Sequence, residues 1–275
     1  MSTARQSLRS LRLIGMTEVV SLDKLSIVRS GKRILDDISL SIESNQRWVI
    51  IGSNGAGKTT LLRVLAAGLQ PSSGQARILG ETLGEINVFE LRTRVGFASS
   101  AMAARIPNSE TVLDAVMTAS YGITGRWNEK YEAVDERRAL RVLEEWQLAE
   151  FADRAFGTLS DGERKRVQIA RSVMTDPELL LLDEPVASLD IAAREQTIKI
   201  LGGYASHPKA PAIVMVTHHL EEIPVGFTHA LILDAGKIYA AGPIEQTLTS
   251  TKLTEAFGLA LEVANANGRY TVRAK

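Results

Sequence analysis

Residues Gly52–Thr60 read "GSNGAGKTT". The spacing G-x-x-x-x-G-K-[ST] suits one task, wrapping backbone around a chain of phosphates. Glycines let the main chain pass close to a ligand. The N–H groups of Gly52, Ser53, Asn54, Gly55, Ala56 and Gly57 would then meet phosphate oxygens, and the N-terminus of a following helix adds its dipole. Lys58 would reach the β- and γ-phosphates, Thr59 would offer its hydroxyl to Mg²⁺, and Thr60 is placed for the α-phosphate. The pattern predicts a nucleoside triphosphate with Mg²⁺.

A phosphate loop needs a carboxylate partner for the metal. "LLLLDEP" at Leu179–Pro185 supplies it. Four leucines make a buried strand, and Asp183 falls at its C-terminal end, where open α/β sheets bind ligands. Glu184 follows, and a carboxylate there can orient and deprotonate an attacking water, which points to hydrolysis rather than binding alone. His218 closes another apolar strand, "IVMVTHH", and could touch the γ-phosphate and steer the water. The catalytic candidates are Glu184, His218 and Lys58, and the metal candidates are Thr59 and Asp183. His219 is expected to point elsewhere, and His207 and His229 to lie on the surface.

"LSDGERKRVQIARS" at Leu159–Ser172 carries two readings. Ser160 with Glu163 three residues on is a capping box. The same helix start, with Gly162 beside it, offers free N–H groups to an anion. The two readings are compatible.

These residues need a frame. A strand–turn–strand pair is expected over Val19–Ile42 around "SGKR", and a buried strand at "RWVIIG". A helix then runs from Lys58 to about Ala67, and a turn at "PSSG" leads to a strand over Gln75–Leu79. Strand signals vanish over about residues 102–158. Helical stretches at Thr111–Tyr121 and Asn128–Trp146 predict an inserted helical subdomain there. Strands alternating with helices elsewhere, among them Ile191–Tyr204, predict a mainly parallel sheet covered on both faces. "ALILDAGKIYAAG" reads as a hairpin, and so does "LEVANANGRYTVRA" with Asn267-Gly268 in its turn. The chain divides into a flexible extension, residues 1–17, and one ATP-binding domain, residues 18–275, ending in an extension over about residues 243–275. The extension holds Arg5, Arg9 and Arg12 and no acid, which suits a frayed end or a weak basic contact with lipid.

The bulk numbers exclude several classes. The chain has 275 residues, with 32 basic and 32 acidic side chains, so no charge excess argues for a nucleic acid partner. There is no cysteine, which rules out disulfides and thiolate metal sites. The longest apolar runs, "WVII" and "LLLL", are far short of the roughly 18 residues of a membrane span.

With "GSNGAGKTT", "LSDGERKR", "LLLLDEP", "ASLD" and "TH" in this order over about Val19–Gly242, the chain resembles the ATP-binding subunit of an ABC transporter. The resemblance implies a P-loop NTPase fold of ABC type: a mainly parallel α/β core sheet, an antiparallel β subdomain and the helical insert. It implies a head-to-tail dimer, or a paired ABC subunit, with two ATP molecules sandwiched between. Ser160 and the Gly162 N–H would contact the γ-phosphate held by the other subunit, and Asp190 would bridge to the partner's phosphate loop. Separate transmembrane permease subunits would dock on the helical insert, placing the protein in the cytoplasm at the face of the inner or plasma membrane. A soluble ABC-type ATPase, acting as a scaffold or assembly factor, is the alternative.

Three features depart from the family pattern. Ser100 stands where a glutamine is usual, and its shorter hydroxyl cannot reach as far. Val28 or Arg29 stands where an aromatic residue usually stacks on adenine, and apolar contact or guanidinium stacking would substitute. The usual "LSGGQ" reads "LSDGE", so Asp161 and Glu163 place carboxylates near an incoming phosphate, which they would repel by an amount that solvent partly screens.

Overall fold

The computed structural model describes residues 17–121 and 132–275. The expected N-terminal extension lies outside it except for Thr17, and so do the first residues of the helix expected from Asn128. Thr17 is not part of a loose extension: Ser44 N–H donates to its carbonyl at 2.8 Å.

The first hairpin pairs β1 (Glu18–Arg29) with β2 (Lys32–Glu43). Ser30 and Gly31 both sit at positive φ (49° and 74°), the two-residue turn whose twist matches an antiparallel pair. After β3 (Arg47–Gly52) and α1 (Lys58–Leu65) come β4 (Ser73–Ile78) and the short β5 (Glu81–Thr82). They complete an antiparallel sheet of order β2-β1-β4-β5. Helix α1 ends two residues before Ala67, which takes φ 50° while the Gly68 N–H turns back to the Arg63 carbonyl. A left-handed residue just past the last turn stops a helix in this way.

The chain then forms α2 (Val88–Arg92), β6 (Val95–Ala98), α3 (Ser100–Ala103) and α4 (Val112–Met117), the last continued by a 3₁₀ turn over Thr118–Tyr121. Next are α5 (Ala133–Glu145), α6 (Asp161–Val173), β7 (Leu179–Asp183) and α7 (Ile191–Ala205). The last part comprises β8 (Ala212–Val216), β9 (His229–Asp234), β10 (Lys237–Pro243), α8 (Ile244–Thr247), α9 (Ser250–Phe257), β11 (Leu261–Ala266) and β12 (Arg269–Ala274).

The main sheet has order β10-β9-β3-β8-β7-β6. All neighbours from β9 to β6 run parallel, and β10 is the antiparallel edge. Strand alternation divides its side chains between two cores. Leu180, Leu182, Ile213 and Met215 face α6, α7 and the helical insert. Leu179, Leu181, Val214 and Leu231 face α1 and the antiparallel sheet. All of these are fully buried, each contributing about 1.5–3 kcal/mol. Trp146 in the insert is also fully buried, with the Tyr204 ring of α7 5.7 Å away. The insert is tied down by Arg171, which donates to the Ala115 carbonyl and to Thr118 Oγ1, and by Arg138, which donates to the Met174 carbonyl at 2.8 Å.

The C-terminal segment is docked on the domain. Arg269 grips Glu195 of α7 with two bonds of 2.9 and 3.1 Å and donates to the Glu221 carbonyl at 2.8 Å. The Val272 N–H donates to the Glu221 carboxylate. β11 and β12 meet in register around Asn267 and Gly268, both at positive φ, as the sequence predicts.

One histidine departs from expectation. His229 is half-buried at the start of β9, stacked on Trp48 with ring centroids 4.8 Å apart. Burial holds its pKa below the usual value of 6.5, opposed by the charge of Glu43. The native state therefore prefers neutral His229, while the unfolded chain takes up a proton as pH falls through about 6.5. Stability from this group is present above that pH and is lost as pH drops through the lower native pKa. His229→Phe, which keeps the stack, is expected to flatten the stability curve below about pH 6.5. Urea unfolding across that range measures it.

Candidate functional site

β3 ends at Gly52, where no other residue fits: a Cβ there would lie 2.2 Å from the Leu233 carbonyl oxygen of β9. The loop that follows is fixed from behind by Ala56, which is buried and accepts the Gly236 N–H at 3.1 Å. Ser53, Asn54 and Gly55 are left exposed along its rim. Gly57 opens α1 at φ 103°, and no side chain caps that helix, so its first N–H groups face outward without an internal partner.

Lys58 is buried, and its ammonium donates to the Gly52 and Ser53 carbonyls at 2.8 and 2.9 Å. Desolvation pushes its pKa down, and the carboxylates of Glu184 and Asp183 pull it back. Thr59 is exposed and donates to Asp183 Oδ1 at 3.3 Å. The sheet order explains the meeting: β3 and β7 both flank β8, so their C-terminal ends stand one strand apart.

Burial raises the pKa of Asp183, and the neighbouring Glu184 raises it further; the Thr59 hydrogen bond, Lys165 and Lys58 oppose the shift. A partly buried carboxylate crowded by a second one fits a site built for a divalent cation. An oxygen-only pair of hydroxyl and carboxylate with room for water also suits Mg²⁺. Glu184 sits at φ 51°, a conformation that costs a side-chain-bearing residue of order 1–2 kcal/mol. It is held there by its N–H, which donates to the Val216 carbonyl at 3.0 Å. The turn brings Glu184 Oε1 to 2.5 Å from His218 Nε2. Lys58, Thr59, Asp183, Glu184 and His218 thus converge at the C-terminal edge of β3, β7 and β8.

Ser160, Gly162 and Asp190 are built into a different feature. Ser160 caps α6: the Glu163 N–H donates to its hydroxyl, and the Ser160 N–H donates to the Glu163 carboxylate at 2.7 Å. Asp190 caps α7, accepting the Ala193 N–H at 2.8 Å. Both are exposed. Gly162 has a packing role the sequence did not show, since a Cβ on it would stand 2.7 Å from the Ala193 Cβ of α7. Val28 and Arg29 are both exposed at the end of β1.

Two further residues join the site. Ser100, at the start of α3, does reach it, through Lys165 of α6. The Lys165 ammonium donates to Ser100 Oγ at 3.1 Å and to the Glu184 carbonyl at 3.2 Å. Ser100, Asp161, Lys165, Glu184 and Leu189 line one cavity of about 730 Å³ beside the helical insert. Lys165 escaped notice because the apolar period of its helix, the usual guide to burial, skips that position.

A model of the family described as "ABC transporter" matches residues 35–187. An uncharacterized ABC transporter ATP-binding protein of Bacillus subtilis, YlmA, is 38% identical over 246 residues, covering 89% of this chain and 93% of that protein. The hemin import ATP-binding protein HmuV of Roseobacter denitrificans is 36% identical, covering 89% and 93%. Among solved structures, a dimeric ATP-binding cassette bound to ADP and Pi shares the fold, with a TM-score of 0.70 and 21% identity over 82% of this chain and 98% of that one.

The helix contact at Gly162 is testable. Gly162→Ala should destabilise the protein by about 1–3 kcal/mol through overpacking. Ala193→Gly in the same chain should recover part of that loss, although it alone costs up to about 1 kcal/mol of helix propensity. Thermal unfolding of the two single variants and the double variant measures both effects.

Proposed function

The chain belongs to the ABC transporter family as an ATP-binding subunit, and on that footing we propose that it hydrolyses MgATP in a head-to-tail dimer. The observation that carries hydrolysis is Glu184, held by His218 beside the Asp183–Thr59 pair. A site for binding alone needs the loop and the metal carboxylate but no second carboxylate with an orienting histidine.

The residues divide the work. Backbone N–H groups of residues 52–57 and of the α1 start hold the phosphates, and Thr60 takes the α-phosphate. Lys58 leaves the loop carbonyls for the β- and γ-phosphates. Thr59 and Asp183 would hold Mg²⁺, which supplies neutralising charge to the phosphate chain when bound. Glu184 accepts a proton from water as its oxygen bonds to the γ-phosphorus and the bond to the β-phosphate oxygen breaks. His218 orients Glu184 and the γ-phosphate. Ser160, the Gly162 N–H and Asp190 complete the partner's site, which fits the exposure of Ser160 and Asp190 at helix starts. Exposed Val28 or Arg29 contacts the base.

No helix among the described residues is long and apolar enough to cross a membrane. The work of hydrolysis would pass to separate permease subunits, docked on the helical insert next to the cavity that reaches Glu184, at the cytoplasmic face of the membrane. An importer of a metal-chelate cargo is the reading that the hemin-import relative supports.

Glu184→Gln keeps the shape of the side chain and removes the base. It should lower turnover by at least about 100-fold and trap a dimer at saturating MgATP. Light scattering with and without nucleotide reads the dimer. A variant that stays monomeric with ATP bound would overturn the sandwich.

A further inference from the structure

Glu184 needs more than β7 to hold it. Its N–H is fixed to Val216 on β8, but its carbonyl faces away from the sheet. That oxygen accepts the Ala187 N–H at 3.3 Å and the Lys165 ammonium at 3.2 Å. The ammonium is half-buried and is itself held by Ser100 Oγ. Lys165 lies five residues beyond Ser160, one and a half turns into the same helix. Its stem spans from α6 to the end of β7, and its charge stands among those of Asp183, Glu184 and Asp161.

We propose that Lys165 is a positioning residue for Glu184: anchored by Ser100, its ammonium grips the Glu184 carbonyl and ties that left-handed residue to the helix whose first turn faces the partner's nucleotide. The proposal rests on the hydrolytic reading above. Two consequences follow from the geometry. The bond to a main-chain oxygen sets the direction of the Glu184 side chain while leaving its carboxylate free for water. And because Ser160 and Lys165 share one helix, movement of α6 toward a partner's γ-phosphate also moves the anchor of this chain's own base. Ser100 gives the helical insert a hold on the same point, since α3 opens that segment.

The absence of cysteine allows a direct test. Lys165→Cys introduces a single thiol. Alkylation with 2-bromoethylamine rebuilds an ammonium at nearly the length of lysine, and iodoacetamide gives a neutral amide on the same site. Lys165→Cys should lower kcat roughly 10- to 100-fold, as expected for a misplaced catalytic group, with KM for MgATP changed by less than about twofold. Aminoethylation should restore most of kcat, and carbamidomethylation should not. Treated wild-type protein serves as the control. Ser100→Ala should lower kcat a few-fold in the natural background and have no further effect in Lys165→Cys, as for two members of one chain of contacts. Full turnover in Lys165→Cys would overturn the proposal, and so would equal recovery with the neutral reagent. A loss of MgATP binding, read by tryptophan fluorescence, that matches the loss of turnover would also overturn it, since the lysine would then serve the nucleotide. Should Lys165→Cys not fold, an unchanged kcat in Ser100→Ala decides against the anchor. Wild-type protein that binds MgATP without hydrolysing it would instead overturn the hydrolytic reading itself, with no variant needed.

Discussion

Two adjacent carboxylates, Asp183 and Glu184, stand half-buried at the end of an apolar strand, and much of the surrounding structure answers that arrangement. Burial disfavours the charge of Asp183, and the neighbouring Glu184 disfavours it further. Thr59 donates to one of them, His218 contacts the other, and the ammonium groups of Lys58 and Lys165 add positive charge. The lysines pay for this, because both are desolvated and their pKa values are lowered. Each group is expensive alone and is stabilised by the others. On the proposed reading, Mg²⁺ beside Thr59 and Asp183 and a phosphate chain beside Lys58 would extend the same pattern of opposed charges.

The sheet makes this crowding possible without softening the fold. β7 has neighbours on both sides, and four leucines anchor it in two separate cores. Its last residue can therefore face solvent, and Glu184 can take an unfavourable backbone conformation, because the strand before it cannot shift. The phosphate loop has the same support. Gly52 is locked against β9, and Ala56 is bonded to the β9–β10 turn, so Ser53, Asn54 and Gly55 are left free of the core between them. On the proposed reading rigid strands carry the chemistry at their ends, and the start of α6 borders the same cavity through Asp161.

Much of this was legible in the sequence, for an identifiable reason. The phosphate loop, Asp183 and His218 announce themselves because their chemistry requires fixed spacing along the chain, next to strands with an unbroken apolar pattern. The parallel sheet and both C-terminal hairpins follow from local patterns, alternating apolar residues and Asn-Gly turn chemistry. What sequence did not show depends on long-range meetings. The bond from Lys165 to Ser100 joins positions 65 residues apart, and the contact of Gly162 with Ala193 crosses two helices. Neither leaves a periodic trace. α1 ends two residues short of the expected Ala67, because Ala67 itself takes the left-handed conformation there. His229 looked like a surface residue because only the fold brings Trp48 against it.

The start of α6 shows how local and distant demands can be met by the same atoms. Asp161 and Glu163 would seem to repel any phosphate brought to Ser160. The Glu163 carboxylate, however, already accepts the Ser160 N–H in the capping box, and Asp161 shares its cavity with the Lys165 ammonium. Glu163 is thereby held on its own helix, and the charge of Lys165 stands near that of Asp161. On the proposed reading, an arriving γ-phosphate would meet a helix end where the Glu163 carboxylate is already engaged and a lysine charge stands near Asp161. The repulsion that the bare motif implies is reduced by contacts the chain makes within itself, and the dimer has only the remainder to overcome.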